Sequence, residues 1–129
     1  MQINPEVDFV YLDANGNGRT IPGGQAFWSQ PESEVEKFGQ GWLITEFVCT
    51  EDWANWEMHP VAEEFVYLLS GDIEFHLEGS GETEVTRIVG SGAVVVPRGR
   101  WHTAKVFQPS RMLFVTMGSG TQHRPVSGA

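Results

Sequence analysis

The feature that most restricts this chain is that no helical period survives beyond Gly41. Instead, β-branched and aromatic residues recur in short runs, at 42–50, 56–59, 64–69, 73–77, 84–89, 93–96, 102–107 and 112–117. Turn signals fall between them at 70–71, 79–81, 90–92 and 97–99. Short strands at this spacing, with no crossover helix, predict an all-β antiparallel sandwich or barrel. A length of 129 residues allows one core. The 15 Gly and 7 Pro supply the turns, and 5 Trp with 8 Phe supply large apolar surfaces to bury between them.

Before residue 41 the chain is polar and turn-rich. One strand is expected at 7–12 and a short helix at 31–38, where Ser29 and Glu32 have capping-box spacing and Pro31 suits an early helical position. The run Asp13-Ala14-Asn15-Gly16-Asn17-Gly18 matches the opening of an EF-hand loop, but Gly24 stands where a bidentate Glu is required and Pro22 where the next helix should start. An Asn/Gly surface turn is therefore expected, without calcium. Residues 1–40 are expected to pack as a strand/turn segment on a barrel formed by 41–118. The Gly/Ser/Pro-rich residues 119–129 read as a tail, His123 included.

Net charge is −9, with 2 basic and 12 acidic residues in the first 64 positions. No basic block is available to track a phosphate backbone or an anionic membrane, so no nucleic acid and no membrane partner is expected. The opening MQINPEVDF has neither a basic nor an apolar leader segment, and Cys49 is the lone cysteine, so a cytoplasmic protein without disulfides is expected. Cys49 shares a strand face with Leu43, Thr45 and Phe47 and reads as a small buried hydrophobe. Runs 65–69 and 93–96 are apolar on both faces, which a strand with one wet face should not be. Their outer sides need cover from residues 1–40 or from a second copy, and a homodimer is the simpler expectation.

The chemistry concentrates in two places. In Trp56-Glu57-Met58-His59-Pro60-Val61-Ala62-Glu63-Glu64, Glu57 and His59 are two apart in extended chain and share a face, and Glu64 opens the next strand. Further on, Pro97-x-Gly99-x2-His102 is a rigid turn that delivers His102 to the start of another strand. Two imidazoles and two carboxylates arriving from separate strands can hold a divalent ion with open positions. They can equally serve, without metal, as acid/base or ligand-binding groups, or form a structural polar cluster. His76 falls on the parity of Asp72, Glu74 and Glu78 and reads as a solvated strand histidine. Trp53, Trp56 and Trp101 are candidates for a pocket mouth, and Arg98 and Arg100 flank the turn before His102.

These strings resemble the cupin superfamily, whose motifs run G-x5-H-x-H-x3-4-E-x6-G and G-x5-P-x-G-x2-H-x3-N. The first is matched from His59 through Glu64 to Gly71, and the second by Ser91, Pro97, Gly99 and His102, with Gly92 one place off and Val106 in place of Asn. The strings WEMHP, YLLSG and VPRGRWHT look like those of small single-domain bacterial cupins. The resemblance covers about residues 40–118 and implies an antiparallel jelly-roll β-barrel holding one metal ion through His59, Glu64 and His102. Glu57 stands where the family usually has its first histidine. With it the ligand set becomes Glu57, His59, Glu64 and His102, which neutralises a dication and suits Fe, Mn or Zn, with Ni also admissible. The implied function is a metal-dependent small-molecule enzyme of dioxygenase or isomerase/lyase type, with Glu57 as ligand or as catalytic proton carrier. The alternative is a non-enzymatic cupin, metal-free or not, that binds or senses a small ligand.

Overall fold

Alternation along two long strands sets the architecture. In the computed structural model, which describes residues 2–126, Val66, Leu68, Ile73, Phe75 and Leu77 are all at most 8% exposed, and Glu74, His76 and Glu78 take the opposite parity. The elements are β1 (Asp8–Leu12), β2 (Gly18–Pro22), α1 (Gln25–Trp28), α2 (Glu32–Glu36), a 3-10 turn (Lys37–Gln40), β3 (Trp42–Cys49), β4 (Asn55–Met58), β5 (Glu64–Glu78), β6 (Thr83–Val89), β7 (Gly92–Val96), β8 (His102–Thr116) and β9 (Gln122–Pro125). Every strand pairing is antiparallel.

β5 and β8 form a two-stranded ribbon that belongs to both layers of the molecule. Its one end, Phe65 to Leu68 against Met112 to Val115, carries β7 on one side and β3, β1 and β2 on the other. Its other end, Asp72 to Leu77 against His102 to Gln108, carries β6 on one side and β4 and β9 on the other. The hinge is a series of register shifts between Leu68 and Ile73. There Gly71 has φ 136°, and a Cβ on it would stand 2.2 Å from Ser110 Oγ, so only glycine lets the two strands lie this close. The sequence break at 70–71 is therefore a bend inside one strand and not a hairpin turn. The expected strands at 102–107 and 112–117 likewise join into β8.

Apolar side chains from the two layers meet in one core built from Val66, Leu68, Ile73, Phe75, Ala104 and Met112 with their neighbours. Among the described residues the ladder does not close on itself, so the expected barrel is a jelly roll with open edges. Residues before 41 do more than decorate it. β1 and β2 extend the layer beyond β3, and Phe9, Tyr11, Ile21, Phe27 and Leu43 make a second cluster. At the Asn/Gly turn, Asp13 Oδ1 accepts the backbone N–H groups of Asn15 and Asn17, each at 2.9 Å, which is an Asx-type turn. The anticipated capping box is not formed, because α2 starts at Pro31 without a side-chain cap and Ser29 Oγ donates to the Gln25 carbonyl. The outer face stays bare, with Phe65 38% and Val95 60% exposed. No helix of the described residues is long and apolar enough to cross a membrane.

Candidate metal centre

The bent ribbon explains how four distant residues meet. Glu64 opens β5 and His102 opens β8, at opposite ends of the ribbon, since Phe65 pairs with Val115 and Leu77 with His102. Laid flat, thirteen residues of strand would separate them by about 43 Å. Folded at Gly71, the ribbon brings His102 Nε2 to 3.2 Å from Glu64 Oε1. β4 lies beside β8 with Glu57 in register with His102, and His59 follows immediately after β4. The turn before β8 is fastened to it, because Gly99, at φ 78°, donates its N–H to the His59 carbonyl at 2.9 Å.

The four facing atoms converge. His59 Nε2 lies 2.9 Å from Glu57 Oε1 and 3.3 Å from Glu64 Oε1, and His102 Nε2 lies 3.7 Å from Glu57 Oε1. One ligand atom from each of the four side chains falls within 4.8 Å of all the others. His102, Glu64 and His59 are 0%, 3% and 5% exposed, whereas Glu57 keeps 30%. His59 Nε2, Glu64 Oε1 and His102 Nε2 are buried without a well-formed hydrogen bond. Interior polar atoms almost always have partners, so three orphans pointing at one spot mark a place for a cation.

The other end of each side chain is tied down. Thr121 Oγ1 donates to the Gly118 carbonyl at 2.6 Å, so toward His59 Nδ1, at 2.7 Å, it acts as acceptor. That fixes the Nδ1–H tautomer in neutral His59 and turns the Nε2 lone pair inward. His102 Nδ1 faces the Arg100 carbonyl at 3.3 Å, with the same effect. Thr116 Oγ1 donates to Glu64 Oε2 at 2.5 Å, and His123 Nε2 holds Glu57 Oε2 at 2.9 Å. Two imidazole nitrogens and two carboxylate oxygens, each oriented from behind, could hold a divalent ion.

Without a cation the cluster keeps itself neutral by holding protons. Burial alone would lower the pKa of both imidazoles, but the Glu57 and Glu64 carboxylates, as acceptors for the protonated rings and as opposite charges, outweigh it, pushing His59 up to about 10 and His102 up to about 9. Burial would likewise raise the two carboxyls, yet hydrogen bonds from His102, His123 and His59 hold Glu57 well below its usual range, and those from His102 and His59 lower Glu64. A metal must displace these protons to bind.

A cavity of about 750 Å³ opens beside the four residues, and Trp53, Glu57, His59 and Glu64 are part of its wall. Trp28, Val35 and Phe38, from the polar, turn-rich segment before residue 41, complete its wall. Phe75 stacks on His102 from the core side with ring centroids 5.7 Å apart, and Trp53, on the cavity side, meets the same imidazole edge-on at 6.3 Å. Trp56 and Trp101 instead flank the Arg124 guanidinium at 5.4 and 4.6 Å. His76 pairs with Glu74 at 2.8 Å, away from the site. Cys49 lines the cavity, and burial pushes its thiol pKa up, which favours the thiol over the thiolate. Arg98 and Arg100 are engaged elsewhere, the backbone N–H of Arg98 with Glu63 and Nε of Arg100 with the Glu78 carbonyl.

The residues missed in sequence are Thr116, Thr121 and His123. His123 sits on β9 opposite Glu57 rather than in an unstructured tail; residues 127–129 of that expected tail lie outside the described residues. Thr121 and His123 are two apart, and that parity was the available signal.

No family model matches the chain, and no curated protein does. Solved structures do. Oxalate oxidase in complex with the substrate analogue glycolate is similar at 17% identity and a TM-score of 0.52, over 64% of this chain and 44% of that one. Peruvianin-I, a cysteine peptidase from Thevetia peruviana latex, is similar at 13% and 0.55, over 67% and 56%. CapF with the inhibitor 3-isopropenyl-tropolone is similar at 13% and 0.52, over 64% and 27%. The chain thus spans from about a quarter to just over half the length of these proteins. An oxidase and a peptidase on one scaffold show that the likeness carries the fold and not the reaction. Oxalate oxidase and CapF are cupin-fold proteins, and with them as structural neighbours this chain has the cupin fold.

Proposed function

We propose that Glu57, His59, Glu64 and His102 hold one divalent metal ion, and that the chain is an enzyme acting on a small molecule in the adjoining cavity, of oxygenase or isomerase/lyase type. One observation carries this reading. Each of the four side chains is tied from behind, by Thr121, the Arg100 carbonyl, Thr116 or His123, while its free atom points to a shared centre. A structural polar cluster would have its hydrogen bonds completed inward as well, and here three atoms do not.

A divalent ion in that position supplies Lewis-acid polarisation of a substrate oxygen. The chain's own residues do the rest. The apolar wall around Trp53 and Phe114 excludes water from the reacting face. Glu57 is the one member of the set with substantial exposure and borders the cavity, so beyond its place in the ligand set it is the carboxylate a bound molecule would meet, and His123 keeps it oriented through Oε2; were it not a ligand, it would be the group to take or return a proton there. The same reading takes the chain as a cytoplasmic homodimer, an assembly supported by the exposed Phe65 and Val95 on the outer face.

The test is metal content of protein purified without added metal, then after exposure to Fe(II), Mn(II), Zn(II) or Ni(II), followed by a screen of O2 consumption. About one ion per chain, removable by chelator, is expected. A chain that retains none of the four ions is instead a metal-free binding module, in which imidazolium–carboxylate pairs such as His59–Glu57 at 2.9 Å close the site.

A further inference from the structure

We propose that the cavity takes an uncharged aromatic molecule carrying a hydroxyl or carbonyl oxygen, and discriminates against molecules bearing carboxylate or phosphate. This deepens the metal reading above, on which it rests for the oxygen that faces the centre.

The wall is a continuous strip of rings. It runs from Trp28 to Phe47 at 6.5 Å between centroids, to Phe114 at a further 6.0 Å, and ends on Trp53 at 5.8 Å, behind which His102 lies buried at 6.3 Å. A flat apolar ring laid along it meets edge and face contacts over its whole length. At about 750 Å³ the cavity is in the ordinary range for a small-molecule site.

Charge supplies the discrimination. Among the described residues lining the cavity there is no Lys or Arg; the acidic ones are Glu32, Glu36, Glu57 and Glu64, and the basic ones are the imidazoles of His59 and His123. A dication at the centre balances Glu57 and Glu64 only, which leaves the two carboxylates of α2. Glu36 is held in place by Ser119 Oγ at 2.7 Å and the Gly120 N–H at 3.0 Å, so it cannot swing away. Both imidazoles of the lining are taken by Glu57, His59 at 2.9 Å and His123 at 2.9 Å. An anionic ligand would exchange its hydration shell for apolar rings and the like charge of Glu32 and Glu36, with no free cationic side chain to receive it and an ion whose charge Glu57 and Glu64 already balance. An uncharged ligand gives up little, and its oxygen finds the polar end of the cavity.

The probes are benzyl alcohol, benzoate and benzylamine, which share one ring and differ in charge. Binding is read by tryptophan fluorescence, since Trp28 and Trp53 line the cavity, and by calorimetry, on metal-loaded and on chelator-stripped protein. Benzyl alcohol should saturate at a concentration at least ~10-fold below that of benzoate, because only the latter loses charge solvation. Phe114→Leu should weaken benzyl alcohol about 5-fold by removing one ring of the strip. Gln30→Arg, at an exposed lining position outside both apolar clusters, should improve benzoate about 2- to 5-fold by supplying the missing cation. Benzoate binding as tightly as benzyl alcohol, benzylamine binding tightest, no probe saturating, or no response to either variant would each overturn the proposal. Metal content of the same samples separates the two readings. A metal-free chain that still prefers the neutral ring refutes only the metal, and a loaded chain that prefers benzoate refutes only the ligand class.

Discussion

The four converging residues divide into a deep trio and an edge member, held by different kinds of structure. His59, Glu64 and His102 are at most 5% exposed; Glu64 and His102 open the fifteen-residue strands β5 and β8, and His59, the residue after β4, is fastened to Gly99 in the turn before β8. Glu57 is 30% exposed and sits on β4, a four-residue strand whose outer partner, β9, is also four residues long. Its supporting residue His123 is 55% exposed, whereas Thr116 and Thr121 act from inside. The trio is closed to solvent and Glu57 is open to it. On the proposed function, affinity for an ion would rest chiefly on the first and reactivity toward a bound molecule on the second.

The comparison breaks most visibly if a member of the trio is removed. His102→Ala should lower metal affinity by well over 100-fold, more than the loss of a supporting group costs. It should also destabilise the metal-free protein by about 3 kcal/mol, since the buried Glu64 carboxylate loses one of its two imidazolium partners. Stoichiometric metal in this variant would remove His102 from the ligand set.

A second effect is read from pH. In the chelated protein, the raised pKa values of His59 and His102 contribute stability that is fully present below about 6.5 and is lost as pH rises through about 9 to 10. The lowered carboxyls of Glu57 and Glu64 contribute stability present above their ordinary value of 4.5, lost as pH falls through their depressed values. Metal binding runs the other way, because it needs neutral imidazoles and improves as protons leave. The gap in Tm between loaded and chelated protein should therefore widen steadily from pH 6.5 to 9. A gap constant over that range would mean that the imidazoles do not bind the ion.

Supporting groups come next. Thr121→Val removes the acceptor behind His59 and should cost about 10- to 100-fold in metal affinity, measured by competition with a chelator. His123→Ala, at the edge, should cost less than 10-fold, and Glu57→Gln should weaken metal while leaving the trio's residual binding intact. Glu57→Gln with unchanged metal affinity but no turnover would make Glu57 a proton carrier and not a ligand. The smallest effect is expected for His76→Ala, which should keep full metal content, its only side-chain partner being Glu74.

How much of this the chain announces differs between the same two parts. The trio and Glu57 were legible because their spacing is local: Glu57 and His59 alternate on one strand, Glu64 opens the next, and Pro97 and Gly99 make the turn that starts at His102. The groups behind them were not, because Thr116 and Thr121 reach Glu64 and His59 across 52 and 62 residues of chain. β9 was read as tail because Gly, Ser and Pro surround it, although its pairing to β4 comes from the partner strand and not from its own propensity. Gly71 was recognised as a turn residue, but sequence does not say whether a glycine reverses a strand or folds a ribbon in two. The part of the cavity wall supplied by α1 and α2 was invisible because both helices are too short to carry a period.

The fold at Gly71 also has a kinetic side. Glu64 and His102 are neighbours only once the ribbon has bent and both layers have closed, so the ion's pocket does not exist in any partly assembled chain. An ion captured there acts as a clasp fastened last. It should leave the folding rate nearly unchanged and appear almost entirely as slower unfolding, since contacts absent from the transition state are felt on the way out. Loaded protein would then be long-lived rather than quick to form, and metal uptake would mark the chains that have finished folding.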